Sequence, residues 1–490
     1  MGGLNMTSNK NAARPDVFEI DTDILLTDFS GKEYYLTGTK ANVQVMSLIL
    51  YESLETPYLL GNLTVTDSGV NLIGTVPISG MEKITFSIKT PYFSENKYSY
   101  TMYVSAVRNR VGSGRVQTYT LDLISYEGLQ NEGLRIGKMY ADYGNKIVED
   151  IMKTYFKTNK KVDTEPCKYQ MKFIPRGQRP FELIYSMLHK CISSNFSSNT
   201  DTGSKSNILS TGTKSEGQTD VNPQETISGS AGYFFWETYD GFQFKSIDKL
   251  CASEYVSGSS GTKVKDTFVS RLGKIDGNQD PGRNILEYQY TNEIDVIKKM
   301  RYGTYSSMMV FFNPSTGQYE EYIFNIDESY NSMIHLGKDE KIPDGPKSLS
   351  KYPTRIMTQI MDHETFYNGT DIASPDPKDN DQSGSQFPDY KKYYTSQSIA
   401  RKLLLNNQEL HVTICGNLTL RAGDKVNILL PNYSTESDRE TQQYDKQHSG
   451  TYLIKDISYE FYLQKNQQSN ITVTNMTLVR DSFGAFTLQV

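Results

Sequence analysis

Five histidines, His189, His335, His363, His411 and His448, are the first places to look for a general base or a metal ligand in this 490-residue chain. None of them falls in a His-Glu-x-x-His pattern or another ligand-spaced group, so the sequence writes no metal centre. Asp362-His363-Glu364 is the densest polar trio. Consecutive strand residues point to alternate faces, so the three read as a solvated strand end or turn. His189 and Cys191 lie two apart in a helix-patterned segment, about 200° around the axis, which argues against a Cys-His nucleophile. Arg110-Val-Gly-Ser-Gly-Arg115 could cradle a phosphate between two arginines, but it lacks the G-x-x-x-x-G-K-[ST] loop and sits between strand patterns, as a hairpin tip does. Glu237 and Asp240 in FFWETYDG could supply the two carboxylates of a glycosidase; in a tyrosine-rich strand they read as turn and edge positions, with Trp236 in the core. Cys167, Cys191, Cys251 and Cys415 lie far apart with no C-x-x-C pair, as reduced packing residues do. The expectation is a protein that is not an enzyme, with no catalytic, cofactor-binding or metal residues and no cofactor.

Sheet dominates the elements around these residues. From about 24 to 125 the apolar positions alternate: Ile84-x-Phe86-x-Ile88, Tyr98-x-Tyr100-x-Met102-x-Val104 and Tyr119-x-Leu121-x-Leu123 each put every second side chain on one face. Turn residues fall between the runs, at Thr66-Asp67-Ser68-Gly69, Ser79-Gly80 and Val111-Gly112-Ser113-Gly114. The period then lengthens to that of a helix in 142–156 and in 179–192, the latter opened by Pro180. GYFFWETYDGFQFKSI (232–247) reads as a hairpin turning at Asp240-Gly241. A short helix is expected over 292–303, two strands around Pro314-Ser315-Thr316-Gly317, and a helix over 395–407. Alternation returns from 408 to 480, in Leu410-x-Val412-x-Ile414, Val426-x-Ile428-x-Leu430, Tyr459-x-Phe461, Ile471-x-Val473 and Met476-x-Leu478.

GNLT occurs twice, at Gly61–Thr64 and at Gly416–Thr419, followed by Val70-Asn71-Leu72 and Val426-Asn427-Ile428 at offsets differing by one residue. A slip of one residue reverses which side chains face inward, so the letters alone leave duplication and coincidence both open. Residues 193–230 and 368–390 are Ser-, Thr-, Asn-, Gly- and Asp-rich and bury too little apolar surface to offset the entropy of ordering; both read as loop insertions, the first one dispensable for folding.

The totals narrow the class of protein. A chain with 37% hydrophobic residues can fill more than one core, and its length allows two to four domains. With 51 basic and 57 acidic side chains and no run of five like charges, nothing marks a nucleic-acid arm or a polybasic anchor. The 35 tyrosines and 21 phenylalanines against one tryptophan suit half-exposed strands and interfaces. MGGLNMTSNKNAARP lacks the apolar core of a signal peptide, its Thr7 and Ser8 miss the sixth position of a myristoylation signal, and no stretch approaches the roughly 18 apolar residues of a membrane span. A flexible, cytoplasmically made N-terminus is expected.

VMSLILYESLETPYLLGNLTVTDSGVNLIGTVPISGMEKITFSI (45–88), then YVSAVRNR, YTLDLISYEGLQN and GNKIVEDIM, resembles the N-terminal half of the central baseplate hub proteins of contractile-tailed bacteriophages. RPFELIYSMLHKC followed by GYFFWETYDGFQFKSI is similar to a run these hubs share with other tail hub and spike proteins. GNLTLRAGDKVNILLP, SGTYLIKDISYEF and TLVRD resemble their closing barrel. The resemblance covers nearly the whole chain in order, excepting the N-terminal tail and the two polar insertions; no one motif in it is specific alone, and the long 193–230 loop departs from the pattern. It implies a predominantly β, α+β fold with two similar β-barrels around a middle α/β region. The corresponding layout is a tail over 1–23, a first barrel over 24–128, an α/β domain over 129–250, a mixed connecting region over 251–394, and a helix plus second barrel over 395–490. It further implies a homotrimer forming a pseudo-sixfold ring in the virion's baseplate, assembled in the host cytoplasm. Its partners would be the tail tube protein, the central spike protein and neighbouring baseplate proteins, with DNA passing through the channel without specific binding and no membrane involved. Two other readings compete: another ring-forming tail component, such as a tube-end adaptor or distal tail protein, and a glycan-binding or glycan-cleaving tail protein.

Overall fold

The structure, a computed structural model, describes residues 14–41, 43–69, 71–76, 78–168, 170–194, 231–252, 262–271, 280–292, 295–312, 317, 319–330, 333–337, 348–360, 387–433, 444–463 and 470–483. The expectations for most of 193–230, for most of 368–390 and for Asp362-His363-Glu364 therefore lie outside the described residues.

The fold is α+β and predominantly β. The alternating N-terminal segment forms β1 (Glu19–Thr27), β2 (Glu33–Tyr35), β3 (Gln44–Ser53), β4 (Leu60–Ser68), β5 (Lys83–Thr90), β6 (Ser94–Ser113) and β7 (Val116–Ile124). Ile84, Phe86, Ile88, Tyr119, Leu121 and Leu123 are all buried, as their two-residue period requires. The middle of the chain supplies β8 (Tyr140–Tyr143), β9 (Val162–Thr164), β10 (Gln170–Phe173), β11 (Tyr233–Thr238) and β12 (Gly241–Ser246). Helices Gly144–Ile151, continued by a wider turn to Phe156, and Pro180–Leu188 bury Ile147, Val148, Ile151, Leu183, Ile184 and Met187 in a core shared with Phe235, Phe242 and Phe244. The second helix stops at Leu188, short of the expected 192, because Ile192 bridges Ala231 and Ser193 bridges Cys167. β11 and β12 form the expected hairpin, which Gly241 closes at φ 115°, where any Cβ would collide with the Lys161 carbonyl.

Then follow β13 (Val264–Val269), β14 (Ile285–Asn292), β15 (Ser306–Phe312), β16 (Tyr319–Asn325), β17 (Arg355–Ile360), β18 (Gln408–Cys415), β19 (Lys425–Leu429), β20 (Gly450–Tyr462) and β21 (Ile471–Arg480). β15–β17 make a small separate sheet. A helix capped by Asp295 spans Val296–Tyr302, and another runs Phe387–Leu405, longer than the sequence period indicated. On β21 the alternation changes role: Met476 and Leu478 point inward with Thr472 and Thr474, while Ile471 and Val473 take the opposite face. Thr474 Oγ1 accepts from the Asn417 amide at 2.9 Å, which supplies the partner a buried hydroxyl needs.

Thirteen strands form one sheet, ordered β14-β18-β21-β20-β3-β4-β7-β6-β5-β1-β2, with β19 on β20 and β13 on β19. Two units lie within it, the second taking in β13 and β14 from the region between 251 and 394. Leave out the short β2 and count each unit's strands along the chain. Both then run second, third, sixth, fifth, fourth, first: β3-β4-β7-β6-β5-β1 and β14-β18-β21-β20-β19-β13. Tyr103 of β6 pairs with Lys83 of β5 and Ile124 of β7; Leu453 of β20 pairs with Lys425 of β19 and Val479 of β21. A bulge follows in each, between Val104 and Ala106 and between Ile454 and Asp456. A further bulge matches in the second strands, Val45/Ser47 and Ile285/Glu287. The units differ at their first strands, since β1 is antiparallel to β5 whereas β13 is parallel to β19. Val269 bridges Asn284 and so brings β13 back beside the start of β14.

The GNLT letters are not the equivalent residues. Gly61 pairs with Leu123 in β4, and the residue paired with the matching Leu478 is Leu410, whereas Gly416–Thr419 lie past the end of β18. Each glycine has its own local cause. A side chain at Gly61 would press on the Ile49 carbonyl at 3.1 Å, and one at Gly416 would collide with Thr472 at 2.2 Å.

Candidate functional site at the seam between the units

The two units share one long seam. The second half of β20 lies antiparallel on β3, from Asp456 opposite Ser53 to Tyr462 opposite Ser47. Residues some four hundred positions apart thereby complete each other's backbone hydrogen bonds. Ile457, Tyr459 and Phe461 on one side and Leu48 and Leu50 on the other are buried in a single core that runs through both units. Ser53 Oγ donates to Asp456 Oδ1 at 2.5 Å across the seam.

A polar lock holds the middle of the chain over it. Glu52 is fully buried, and its two carboxylate oxygens accept from the Tyr239 amide at 2.9 Å and the Ala422 amide at 3.1 Å. Burial pushes its carboxyl up to about 7, against the pull of Arg421 and of the two amides. The Arg421 guanidinium donates to the Leu418 and Leu420 carbonyls at 2.6 and 2.7 Å and reaches Asp240 at 3.2 Å. It also lies over the Tyr98 and Tyr239 rings, 5.2 and 5.1 Å from their centroids. Tyr459 donates its hydroxyl to the Leu420 carbonyl at 2.5 Å. Trp236 Nε1 donates to the Ala422 carbonyl at 3.0 Å, and Gly423, at φ 89°, leaves room for the indole where a Cβ would stand 2.6 Å from it.

Two more buried clusters tie outer elements to this frame. Lys160 Nζ lies 2.6 Å from Glu127 and 2.5 Å from Glu237; Glu237 also accepts from Ser125 Oγ at 2.6 Å and the Leu59 amide at 3.0 Å. Burial raises the Glu237 carboxyl even beside Lys160. Asp481 accepts from the Leu336 amide at 2.9 Å and meets His335 Nδ1 at 2.8 Å and Arg401 Nη1 at 3.2 Å. Burial alone would raise the Asp481 carboxyl, but His335 and Arg401 hold it well below the usual range.

The residues singled out in the sequence are scattered among these supports. Glu237 serves the Lys160 cluster and Asp240 contacts Arg421, so the structure does not bring the two together as a catalytic pair. Arg110 to Arg115 form the tip of the β6–β7 hairpin, where Gly114 sits at φ 61°. His189 ends its helix, with burial and two nearby lysines lowering it to about 4. His448 contacts Asp445 at 2.7 Å, and His411 is an exposed strand residue of β18. All four cysteines are free and buried. Cys167 and Cys191 come together against Gly144, and their mutual hydrogen bond and burial raise the Cys191 thiol. Among the described residues no group of three His, Cys, Asp or Glu side chains could hold a metal, and no helix is long and apolar enough to cross a membrane. The site that sequence reading missed is the seam itself. Glu52 and Arg421 carry no motif, and only the strand alternation on each side marked the edges that meet.

No protein-family description and no curated protein matches the chain. Similar solved structures include tail proteins and a component of a type VI secretion system. A tail protein from Neisseria meningitidis MC58 is 11% identical, with 94% of this chain and 96% of that one covered and a TM-score of 0.46. The 43 kDa tail protein of prophage MuSo2 from Shewanella oneidensis is 11% identical over 94% and 98% of the two chains, TM-score 0.45. The Escherichia coli c3393 protein, a component of the type VI secretion system, is 9% identical over 94% and 76%, TM-score 0.40.

Proposed function

We propose that this chain is a structural tail component, a baseplate hub subunit of a contractile phage tail. Three copies would close into a ring of six like units that joins the tail tube on one face to the central spike on the other and surrounds the channel for DNA. One observation carries the reading: a single chain holds two units with the same strand order, the same switch of partners at Tyr103 and Leu453, and matching bulges after those residues. A closed ring needs similar surfaces at regular intervals, so a threefold assembly can mate with a sixfold tube only if each chain offers two of them. The seam between β3 and β20 gives that pair one fixed geometry. The resemblance of 45–88 and of segments within 416–481 to hub proteins supports the tail tube, spike and neighbouring baseplate proteins as partners, and the virion as the place where the chain would work.

Native mass measurement together with end-on particle averages tests this. The expected result is a species of three times the 55.6 kDa chain mass, with six lobes around a central channel. A chain that remains monomeric both alone and with the tube and spike proteins, or a ring with an odd number of lobes, would sink it.

A further inference from the structure

Two strand edges equivalent to those that form the seam have no strand along them among the described residues. In the second unit, β20 leaves β19 at Leu453, and its remaining half takes β3 along the released edge. In the first unit β6 leaves β5 at Tyr103, and beyond the Met81 and Glu82 contacts to Val104 no strand pairs with the released edge among the described residues. On the other side of the match, β3 holds β4 on one edge and β20 on the other, whereas β14, its equivalent, has β18 as its one strand partner among the described residues, with the Val269–Asn284 bridge just before its start. The side chains agree with the backbone. Val107, at the place of Ile457, is 37% exposed where Ile457 is 2% exposed. Tyr288 and Tyr290, at the places of buried Leu48 and Leu50, are half-buried. Charge is complementary too: SAVRNRVGSGRVQ (105–117) carries three arginines and no acid, and ILEYQYTNEID (285–295) three acids and no base.

We infer that the outer half of β6 binds β14 of a second copy of this chain as an antiparallel strand pair, repeating between chains the register that β20 and β3 make within one. This rests on the ring-forming reading above and names the surfaces that close the ring. Uncovered strand edges of this kind are templates for pairing, and a partner strand satisfies them. The register follows from the shared partners. Val111 is opposite Thr118, as Glu460 is opposite the matching Val473; Gln289 is opposite His411, as Ile49 is opposite the matching Asn62. Because Glu460 faces Ile49, Val111 of one chain faces Gln289 of the next.

The full chain carrying Val111→Cys and Gln289→Cys, both exposed positions, is oxidised mildly and run on a non-reducing denaturing gel. A covalent trimer, absent from each single variant and from the slipped pair Val111→Cys with Glu287→Cys, is the expected result. A trimer by native mass with no cross-link at this register overturns the inference and leaves the hub reading standing. Absence of any association overturns both. A ladder of covalent chains beyond three supports the edge pairing and overturns the threefold ring.

Discussion

The outer halves of β20 and β6 occupy the same place in two units of the same strand order, yet one is buried and the other exposed. On β20, Ile457, Tyr459 and Phe461 are covered by β3 and by the middle of the chain. On β6, Val107 and Val111 face solvent. The backbone of a strand does not determine its environment; the neighbour on its free edge does. The outer half of β6 carries valine, arginine and glycine where that of β20 carries isoleucine, tyrosine and phenylalanine, and among the described residues only β20 has a strand, β3, along that edge. Obligate seams are built as cores, whereas surfaces that must stay soluble before assembly carry smaller apolar groups interleaved with charge.

The largest effect tests the permanent seam. Phe461 is fully buried and packs edge-on against Phe18 with ring centroids 4.9 Å apart. Its truncation to alanine removes a large aromatic from a close-packed core and is expected to cost about 3–5 kcal/mol in denaturant unfolding. A cost as small as that of an exposed residue would show that the seam is not part of the core.

An intermediate effect belongs to the lock above it. Replacing Glu52 with Gln keeps one acceptor for the Tyr239 or Ala422 amide and leaves the other amide facing an NH2 group, a loss of about 1–3 kcal/mol. It also removes a titration. The carboxyl is raised from 4.5 to about 7 in the folded chain, so the fold favours its protonated form. The stability this contributes is fully present below pH 4.5 and is lost as pH rises through about 7. Melting temperatures across that window should fall in the parent chain relative to Glu52→Gln, and equal slopes would rule out burial as the dominant influence on Glu52.

Much of the sheet was legible because a strand buried on one face records that face in every second residue, as Ile84, Phe86 and Ile88 do. Three things were not. The GNLT repeat suggested the duplication from letters that are six places out of structural register, since register is fixed by pairing and bulges rather than by identity. The seam was invisible for a related reason: a β3 residue bears no mark of the β20 residue some four hundred positions away that completes its hydrogen bonds. β13 and β14 were similarly hidden within a long connecting region, because half-buried edge strands such as β14, with Glu287 and Gln289 exposed, alternate weakly.

The smallest effect gives the finest test of the comparison. Val107→Ala removes two methyl groups from a side chain that is 37% exposed, and in dilute solution the unfolding free energy should change by no more than about 0.5 kcal/mol. The same truncation at Ile457, 2% exposed, belongs to the buried class and should cost about 2–5 kcal/mol. Concentration separates the two roles. Anything that binds only the folded chain raises its apparent stability by mass action, so a self-associating edge makes the melting temperature climb with protein concentration. If Val107 becomes covered when a second copy docks, the alanine variant should match the parent when dilute and fall behind it when concentrated, whereas the Ile457 deficit should be the same at both. A Val107 variant that tracks the parent at every concentration would show that the outer half of β6 stays exposed in the assembled protein.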